Sequence, residues 1–224
     1  MIRHREKTAD VTLRTPPSYL WLKSCIDGYL ALVALLLAGP LMLVLALRIR
    51  RDSPGPALFR QTRAGQDGRP FQFYKFRTMR ADTDPFGDSP EAGDDPRLTR
   101  IGRWLRESSL DELPQLLNVL RGEMSLVGPR PLFVPQIAEW SPRHRARLLV
   151  KPGLTGLAQI SGRASITLEE KLELDVQYVQ HVSLRTDVAI IWETLGNVFG
   201  RRGLYQTQYS QRRRRYAQPS ASGG

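Results

Sequence analysis

The sequence is poor in the residues that build disulfide frameworks and structural zinc sites. Its 224 residues include one cysteine, Cys25, and three histidines, whereas such sites need paired cysteines or several Cys and His ligands. Three common motifs are also missing: the P-loop G-x-x-x-x-G-K-[ST], the dinucleotide fingerprint G-x-G-x-x-G and the hydrolase elbow G-x-S-x-G. With 41% hydrophobic and 25% charged residues, the chain nevertheless has the composition of a folded protein of about one domain.

Acidic residues are absent from the end of the chain. Residues 201–224 carry six arginines and no Asp or Glu, so they supply six of the net eleven positive charges. Because the segment ends in small polar residues, its composition predicts a disordered tail suited to an anionic surface, either acidic lipid or nucleic acid. A solvated tail without a specific partner is an equal alternative, since charge runs are weak evidence for binding.

Residues 28–47 form an apolar run without a charged residue. About 20 such residues are enough for an α-helix to cross a bilayer. Basic residues flank the run on both sides, so both of its ends have the character of cytoplasmic segments. In its middle, Gly39-Pro40 predicts a kink, because proline removes a backbone donor. A helix that dips into one leaflet and returns accounts for these features; a single span with a tolerated proline kink is an equal alternative.

The remainder of the chain combines one hairpin pattern with several helical patterns. Residues 57–79 hold two apolar-aromatic runs around a turn-rich segment, which predicts a β-hairpin. Helical periodicity predicts five further helices, separated by acidic or Gly/Pro-rich connectors: 98–107, 111–121, 132–150 with a break at Ser141-Pro142, 168–182 and 184–199. The expected fold class is therefore α+β and mostly helical.

The segment SLDELP, Ser109 to Pro114, contains the most informative pair of carboxylates. Proline is tolerated in the first turn of a helix, so a helix is expected to begin near Asp111. Asp111 and Glu112 would then lie where free backbone N–H groups and the helix dipole stabilise anions, which favours an ionised Asp111 able to attack and also a bound phosphate. The alternative is structural, because Ser109 and Glu112 have the spacing of a capping box.

Basic residues surround this acidic pair in the sequence. They come from the helix before it, the end of its own helix and the hairpin: Arg100, Arg103, Arg106, Arg121, Lys75 and Arg77. Carboxylates and basic groups beside a membrane segment predict a diphosphate substrate, a lipid partner and a divalent metal. Mg²⁺ on Asp111 is the expected ion, because it is usually held by one or two carboxylates together with substrate phosphates.

Three long strings carry a resemblance to a known family. They are SPGPALFRQTRAGQDGRPFQFYKFRTM (53–79), DPRLTRIGRWLRESSLDELPQLLNVLRGEMSLVGPRP (95–131), and KPGLTGLAQISGR (151–163) followed by ELDVQYV (173–179). With these strings the chain resembles the bacterial sugar transferases, the monotopic polyprenol-phosphate phosphoglycosyl transferases, over most of residues 23–200. The resemblance implies a polar N-terminal segment (1–18), a re-entrant membrane helix (19–50), a cytosolic transferase domain with amphipathic interfacial helices (51–200) and the basic tail (201–224).

The resemblance also implies an activity at the cytoplasmic face of the bacterial inner membrane. A phosphosugar would pass from a nucleoside diphosphate sugar, usually a UDP-sugar, to polyprenol phosphate such as undecaprenyl phosphate, with release of UMP. This is the first step of exopolysaccharide, capsule, O-antigen or glycoprotein glycan synthesis. Asp111 would be the nucleophile that forms a covalent phosphosugar intermediate, Glu112 would support it, and Mg²⁺ would polarise the donor phosphate.

Motif position extends substrate-binding roles to seven further residues: Lys75, Arg77, Arg106, Arg130, Arg163, Asp175 and Tyr178. Each has a structural alternative, such as an arginine that snorkels at the interface or an Asp175 that pairs with a nearby base. The chain departs from the family pattern in two regions. Gly39 stands where the kink commonly has serine, and Ala164 and Leu168 stand where Asn and Trp are frequent, which predicts altered sugar recognition.

Two other classes of function compete with the transferase. A membrane-tethered nucleic-acid-binding protein could use the arginine tail and the basic hairpin with Phe73 and Tyr74. Asp111 and Glu112 argue against it, because two carboxylates repel nucleic-acid phosphates unless a metal intervenes, so no nucleic-acid partner is expected. A non-catalytic membrane scaffold is the third class. The residues alone leave open the sugar, the pathway and the oligomeric state.

Overall fold

The computed structural model describes residues 11–84, 87, 90, 94–162 and 166–199. Arg163, the predicted tail and the first ten residues lie outside this part of the chain. Within it the protein is mostly helical, with a two-stranded hairpin and a second pair of very short strands. This confirms the predicted mixture of helices with a hairpin.

The first element is one long helix, α1, which runs from Pro17 to Asp52. It begins at a proline, whose missing N–H has no partner at a helix start in any case, and it continues through Pro40. At 36 residues it is about 54 Å long, against about 30 Å for the hydrocarbon core of a bilayer. Among the described residues it is the one helix apolar and long enough to cross a membrane.

One side of α1 packs on the rest of the protein and the other is bare. Ala31, Leu45 and Ile49 are buried on the packed side. On the opposite side Leu36 and Leu37 are 72% and 79% exposed. Because the packed positions recur with helical spacing from one end of α1 to the other, the helix lies along the domain rather than projecting from it.

The predicted hairpin is confirmed. Strands β1 (Leu58–Ala64) and β2 (Pro70–Phe76) are antiparallel, with Leu58 opposite Phe76. Phe71, Phe73 and Phe76 turn inward into apolar clusters that also contain residues of α1. The first two pack around Ala31, and Phe76 packs against Leu45 and Ile49.

The helix expected to begin near Asp111 begins later. Helix α2 spans Arg100–Glu107, a 3₁₀ turn spans Leu110–Gln115, and α3 occupies only Leu116–Leu120. Ser109 has a left-handed backbone with φ of 57°, which separates the turn from α2, and Pro114 lacks the N–H that an α-helix would use there.

Two short parallel strands lie in the segments expected to be connectors. Strand β3 (Ser125–Val127) pairs with β4 (Gly153–Thr155). Three residues are too few for a strand pattern to be read from the sequence. The pairing depends on glycine, because a Cβ on Gly153 would lie 2.1 Å from the backbone nitrogen of Gly128.

The prediction of a helix over residues 132–150 is wrong. That region holds a 3₁₀ turn (Val134–Glu139), the four-residue helix α4 (Pro142–Arg145) and another 3₁₀ turn (Ala146–Leu149). Pro135 and Pro142 lack N–H groups that a continuous helix over this region would need. The later helices are confirmed. After the short α5 (Leu157–Ser161), α6 spans Leu168–Gln180 and α7 spans Leu184–Phe199.

Candidate active site

The turn that carries the acidic pair is anchored by its leucines. In a 3₁₀ helix residues three apart share a face, and Leu110 and Leu113 both pack into the cluster formed by Phe76 and Leu105. The side chains between them, Asp111 and Glu112, are therefore directed away from that cluster. Asp111 is still only 8% exposed, so its carboxylate sits in a largely desolvated place.

The capping-box alternative for Ser109 and Glu112 does not hold. The side chain of Ser109 makes no capping hydrogen bond. Glu112 instead forms an ion pair with Arg130, whose Nη2 donates to Oε1 at 2.8 Å. The two carboxylates therefore belong to a charged cluster rather than to a helix cap.

Opposing influences act on the charge of Asp111. Burial, reinforced by the neighbouring Glu112 carboxylate, raises the pKa of Asp111 to about 6, while the positive charges of Lys75, Arg106 and Arg130 act to lower it. A helix start at Asp111 was expected to stabilise its anion, but in this short turn the effect of burial on the pKa of Asp111 is larger. At neutral pH the carboxylate is still mostly ionised and carries an unusually basic oxygen.

Lys75 faces the acidic pair from strand β2. Burial lowers the pKa of Lys75 to about 8, and the carboxylate of Asp111 acts in the opposite direction. Its Nζ lies 5.2 Å from the centre of the Phe59 ring on the neighbouring strand. A desolvated ammonium group beside a desolvated carboxylate is an arrangement common at functional sites.

Arg130 is held in place through its side chain and through its backbone carbonyl. The carboxylate of Glu112 raises the pKa of Arg130, and Nη2 of Arg147 donates to the Arg130 carbonyl oxygen at 2.5 Å. Arg147 in turn forms a buried ion pair with Asp175 at 2.6 Å. Its guanidinium lies 4.7 Å from the centre of the Trp140 ring. Asp175 thus pairs with a base, as its structural alternative predicted, and reaches the site only through Arg147 and Arg130.

Two other predicted residues make their contacts elsewhere. Arg77 donates to the carbonyl oxygens of Ser53 and Pro54, at 2.8 and 2.5 Å, just after the end of α1. The hydroxyl of Tyr178 lies 2.7 Å from Asp187 Oδ1 and 2.9 Å from the Val127 carbonyl oxygen. The structure therefore gathers Asp111, Glu112, Lys75, Arg106 and Arg130, while the binding roles of Arg77, Tyr178 and Arg163 stay predictions.

Two arginines emerge that the sequence did not single out as site residues. Arg63 on β1 has its guanidinium 3.7 Å from the centre of the Phe133 ring. Burial, and secondarily the charge of Arg130, lower the pKa of Arg63 to about 10. Arg147 is the second. No sequence signal marks it, because its partner Asp175 lies 28 residues away.

The sequence predicted Mg²⁺ at the acidic pair, and the residues there can be compared with what this ion needs. The part of the chain that the structure describes has no group of three or more His, Cys, Asp or Glu side chains placed for a metal. Mg²⁺ does not need one, since it commonly takes one or two carboxylates and fills its shell with substrate phosphates and water. Asp111, with Glu112 beside it, fits that mode of binding.

The comparison with protein families assigns the chain. A model described as bacterial sugar transferase matches residues 18–201, which include α1, the hairpin and the acidic pair. The chain belongs to the bacterial sugar transferase family. For this family member the match extends over more than four fifths of the sequence, so the acidic pair and the long apolar helix belong to one familial unit.

Named relatives add detail about similar proteins. A UDP-glucose:undecaprenyl-phosphate glucose-1-phosphate transferase of Caulobacter vibrioides is 47% identical over 77% of this chain and 68% of its own length. The galactosyl transferase CpsE of Streptococcus agalactiae is 44% identical over 80% of this chain and 42% of its own. The uncharacterized sugar transferase EpsL of Bacillus subtilis is 42% identical over 84% of this chain and 92% of its own.

The relatives differ in how much of them this sugar transferase spans. It covers about two fifths of the Streptococcus protein but about nine tenths of the Bacillus protein. The shared unit is therefore the part that contains α1 and the acidic pair, and several relatives carry additional sequence beyond it.

Proposed function

We propose that this protein transfers a phosphosugar from a UDP-sugar to undecaprenyl phosphate and releases UMP, with Asp111 as the covalent nucleophile. The observation that carries the proposal is the burial of the Asp111 carboxylate, which is 8% exposed and lies under the influence of the positive charges of Lys75, Arg106 and Arg130. The names of the similar transferases support the donor and acceptor classes. The product would be the lipid-linked sugar that begins a bacterial polysaccharide.

The first step is an attack on the donor diphosphate. A carboxylate oxygen of Asp111 would form a bond to the phosphorus that bears the sugar, and the bond from that phosphorus to the bridging oxygen would break. UMP leaves with the bridging oxygen and its electron pair. The raised pKa of Asp111 supports this role, because a more basic oxygen is a better nucleophile while it remains ionised at neutral pH.

The second step returns the enzyme to its starting state. An oxygen of undecaprenyl phosphate would attack the same phosphorus, and the bond between phosphorus and Asp111 would break. The product is undecaprenyl diphosphate sugar, and the carboxylate of Asp111 is regenerated. Two successive displacements let one site serve a water-soluble donor and a lipid acceptor in turn.

The basic groups would stabilise the charge that moves during both steps. Lys75, Arg106 and Arg130 already act on the charge of Asp111, so a diphosphate placed next to that carboxylate would meet the same three cations. Because charges that the fold already places beside Asp111 need little reorganisation during the reaction, they stabilise developing negative charge more strongly than water would. When bound at Asp111, Mg²⁺ would add a Lewis acid for the donor phosphate.

The packing of α1 supports a re-entrant arrangement. Both halves of the helix lie on the same domain: Ala31 packs with Phe71 and Phe73, and Leu45 and Ile49 pack with Phe76. If α1 crossed the bilayer, strand β2 and its arginine- and lysine-bearing neighbours would be drawn into the hydrocarbon region, where charged groups are costly. A helix with both ends at the cytoplasmic face avoids that cost.

Helix α7 supplies a second apolar surface for the membrane interface. Leu184, Val188, Trp192 and Leu195 recur with helical spacing and are 46% to 78% exposed. Residues 132–150, where the sequence analysis expected a helix, instead turn Trp140, Ala146 and Val150 inward. We therefore assign the interfacial role to α7, whose polar positions would face the cytoplasm.

The test is release of UMP by purified protein in lipid nanodiscs. With Mg²⁺, undecaprenyl phosphate and a panel of UDP-sugars, the wild type is expected to release UMP with one or a few donors. Asp111→Asn should lower the rate by about a thousandfold or more, because an amide oxygen is a poor nucleophile. A radiolabelled sugar phosphate should remain on wild-type protein when the lipid acceptor is omitted.

The matched control is Asp67→Asn. Asp67 is exposed in the hairpin turn with φ of 56°, a left-handed conformation that Asn also adopts readily. Its activity should equal that of the wild type. Wild-type release of UMP that persists in Asp111→Asn would contradict the nucleophile assignment, and absence of release with every donor would favour the scaffold.

A further inference from the structure

Five polar side chains meet where the N-terminal half of α1 touches the domain. We call this group the polar junction; it consists of Lys23, Asp27, Ser125, Tyr178 and Asp187. Lys23 Nζ lies 2.7 Å from Asp187 Oδ2 and 3.5 Å from Asp27 Oδ2. The side chains of these three residues are only 8% to 11% exposed.

Two hydroxyl groups complete the polar junction. Ser125 Oγ donates to Asp27 Oδ2 at 2.5 Å, and the Tyr178 hydroxyl lies 2.7 Å from Asp187 Oδ1. Buried charges are tolerated only where they are paired and hydrogen-bonded. The junction meets that condition with side chains from α1, β3, α6 and α7, so it joins the membrane helix to elements about 100 to 160 residues further along the chain.

The polar junction is connected to the acidic pair through strand β3. Ser125 begins β3, and the carbonyl of its last residue, Val127, lies 2.9 Å from the Tyr178 hydroxyl. Three residues after Val127 comes Arg130, which forms the ion pair with Glu112 at 2.8 Å. A displacement of β3 would therefore move the guanidinium that holds Glu112.

The apolar contacts of α1 fix its position less precisely than the polar junction does. Ala31, Ala34 and Leu35 pack against phenylalanine and leucine side chains, and such apolar contacts are non-directional. A charged network with defined partners is satisfied in only one register of the helix. The polar junction thus supplies the charged, buried part of the directional restraint on α1, beside the hydrogen bonds of Ser24 with Lys151 and of Asp52 with the Ile101 N–H.

We propose that the polar junction is a positioning device that fixes α1 against β3 and so sets where Arg130 meets Glu112. Lys23, Asp27, Ser125 and Asp187 are positioning residues and do not touch the substrates. The inference rests on the proposed transferase for its effect on rate. It extends that proposal by linking the membrane helix mechanically to the acidic pair.

The first test compares one substitution in two backgrounds, with the full chain in nanodiscs. Ser125→Ala removes the hydroxyl that donates to Asp27 but keeps the strand backbone. We expect turnover in UMP release to fall about tenfold, with the donor KM unchanged, because small displacements of a charged group are costly for rate. In an Arg130→Met background the same substitution should change turnover less than about twofold, since the route to Glu112 is already cut.

The control is Thr194→Val. Thr194 on α7 lies 2.7 Å from the Thr155 hydroxyl on β4, so its loss removes a part-buried contact of α7 outside the polar junction. Turnover should stay at the wild-type value. An equal fall for Ser125→Ala in both backgrounds would show a general loss of structure and would overturn the proposal.

A second measurement does not depend on transferase activity. Cys25, the only cysteine, is exposed on α1 between Lys23 and Asp27, so a nitroxide attached to it reports local motion of the helix. The spin-label spectrum should show greater mobility in Ser125→Ala and Lys23→Met, but not in Thr194→Val. Wild-type mobility in both junction variants would overturn the proposal. A wild type that releases no UMP contradicts the proposed function, and this comparison then decides the junction alone.

Discussion

At the scale of single residues, the site combines two groups whose pKa values move towards neutrality from opposite sides. Burial raises the pKa of Asp111 to about 6 and lowers the pKa of Lys75 to about 8. In the proposed mechanism each group is needed in its charged form, Asp111 to attack and Lys75 to stabilise phosphate charge. Between these two values both are charged, which places the working range around neutral pH.

The pH dependence follows from these directions. The rate constant kcat/KM for the donor should rise through about pH 6 as Asp111 loses its proton and fall above about pH 8 as Lys75 loses its own. In Lys75→Met the alkaline limb should disappear. The acid limb should move to higher pH, because the charge of Lys75 no longer lowers the pKa of Asp111.

The control for this profile is Lys151→Met. Lys151 donates to Ser24 Oγ at 3.1 Å and is not among the groups that act on Asp111. Its profile should keep both limbs at the wild-type positions. An acid limb that stays in place in Lys75→Met would contradict the coupling between Lys75 and Asp111.

Two arginine–carboxylate pairs allow a matched comparison of burial. The side chains of Arg147 and Asp175 are each 3% exposed, whereas those of Arg143 and Glu173 are 43% and 35% exposed. Asp175→Asn should lower the free energy of unfolding by about 3 to 5 kcal/mol, because it leaves a buried guanidinium without its counter-charge. Glu173→Gln should cost less than about 1 kcal/mol. Denaturant unfolding in detergent, followed by circular dichroism, measures both; equal losses would contradict the burial argument.

At the scale of elements, the sequence predicted what depends on long periodic patterns. The hairpin, α1, α6 and α7 were found at or near their expected positions because each repeats its apolar pattern over several turns or strand residues. The α-helix expected at Asp111 was not found there. The left-handed backbone of Ser109 and the missing N–H of Pro114 favour a 3₁₀ turn in its place. Strands β3 and β4 were not predicted because each is only three residues long.

The residues of the candidate site likewise fall into a group that the sequence predicted and a group that it did not. The charges around Asp111 were predicted because they stand close to it in sequence or in the hairpin. The ion pair of Arg147 and the contacts that join α1 to the rest of the polar junction were not predicted, because they link residues 28 to 164 positions apart and depend on how the elements pack. Local pattern therefore predicts which residues have suitable chemistry, while tertiary packing decides which of them meet.

The exposed face of α7 carries the element-scale prediction. Trp192 is 78% exposed on it, whereas Trp140 is 5% exposed beside Arg147. In a variant that keeps only Trp192, fluorescence should be quenched by lipids brominated near the headgroup end of the chains, because interfacial helices bury their apolar face about 5–10 Å deep. A variant that keeps only Trp140 should be quenched far less. Equal quenching of the two would contradict an interfacial α7.

At the scale of the whole molecule, α1 packs as a part of the domain rather than as a separate membrane anchor. Apolar clusters hold both halves of α1, and the polar junction holds its N-terminal part. The apolar outer face of α1 and the exposed face of α7 would then be the surfaces that contact lipid. In the proposed arrangement the acidic pair would lie close to the membrane, where a lipid phosphate could reach it.

The re-entrant arrangement makes a prediction about sidedness that a crossing helix does not share. Thr12 precedes α1 and Asp67 lies in the hairpin after it. In a Cys25→Ser background, cysteines introduced singly at these positions should both react with a membrane-impermeant maleimide in inside-out vesicles, and neither should react in right-side-out vesicles. The physical reason is that α1 packs on one domain along its whole length, so its two ends cannot lie on opposite sides without burying charged strand residues in hydrocarbon. Labelling of position 12 from the outer side together with position 67 from the inner side would establish a crossing helix, and the packing of α1 on β2 would then have to change in the membrane.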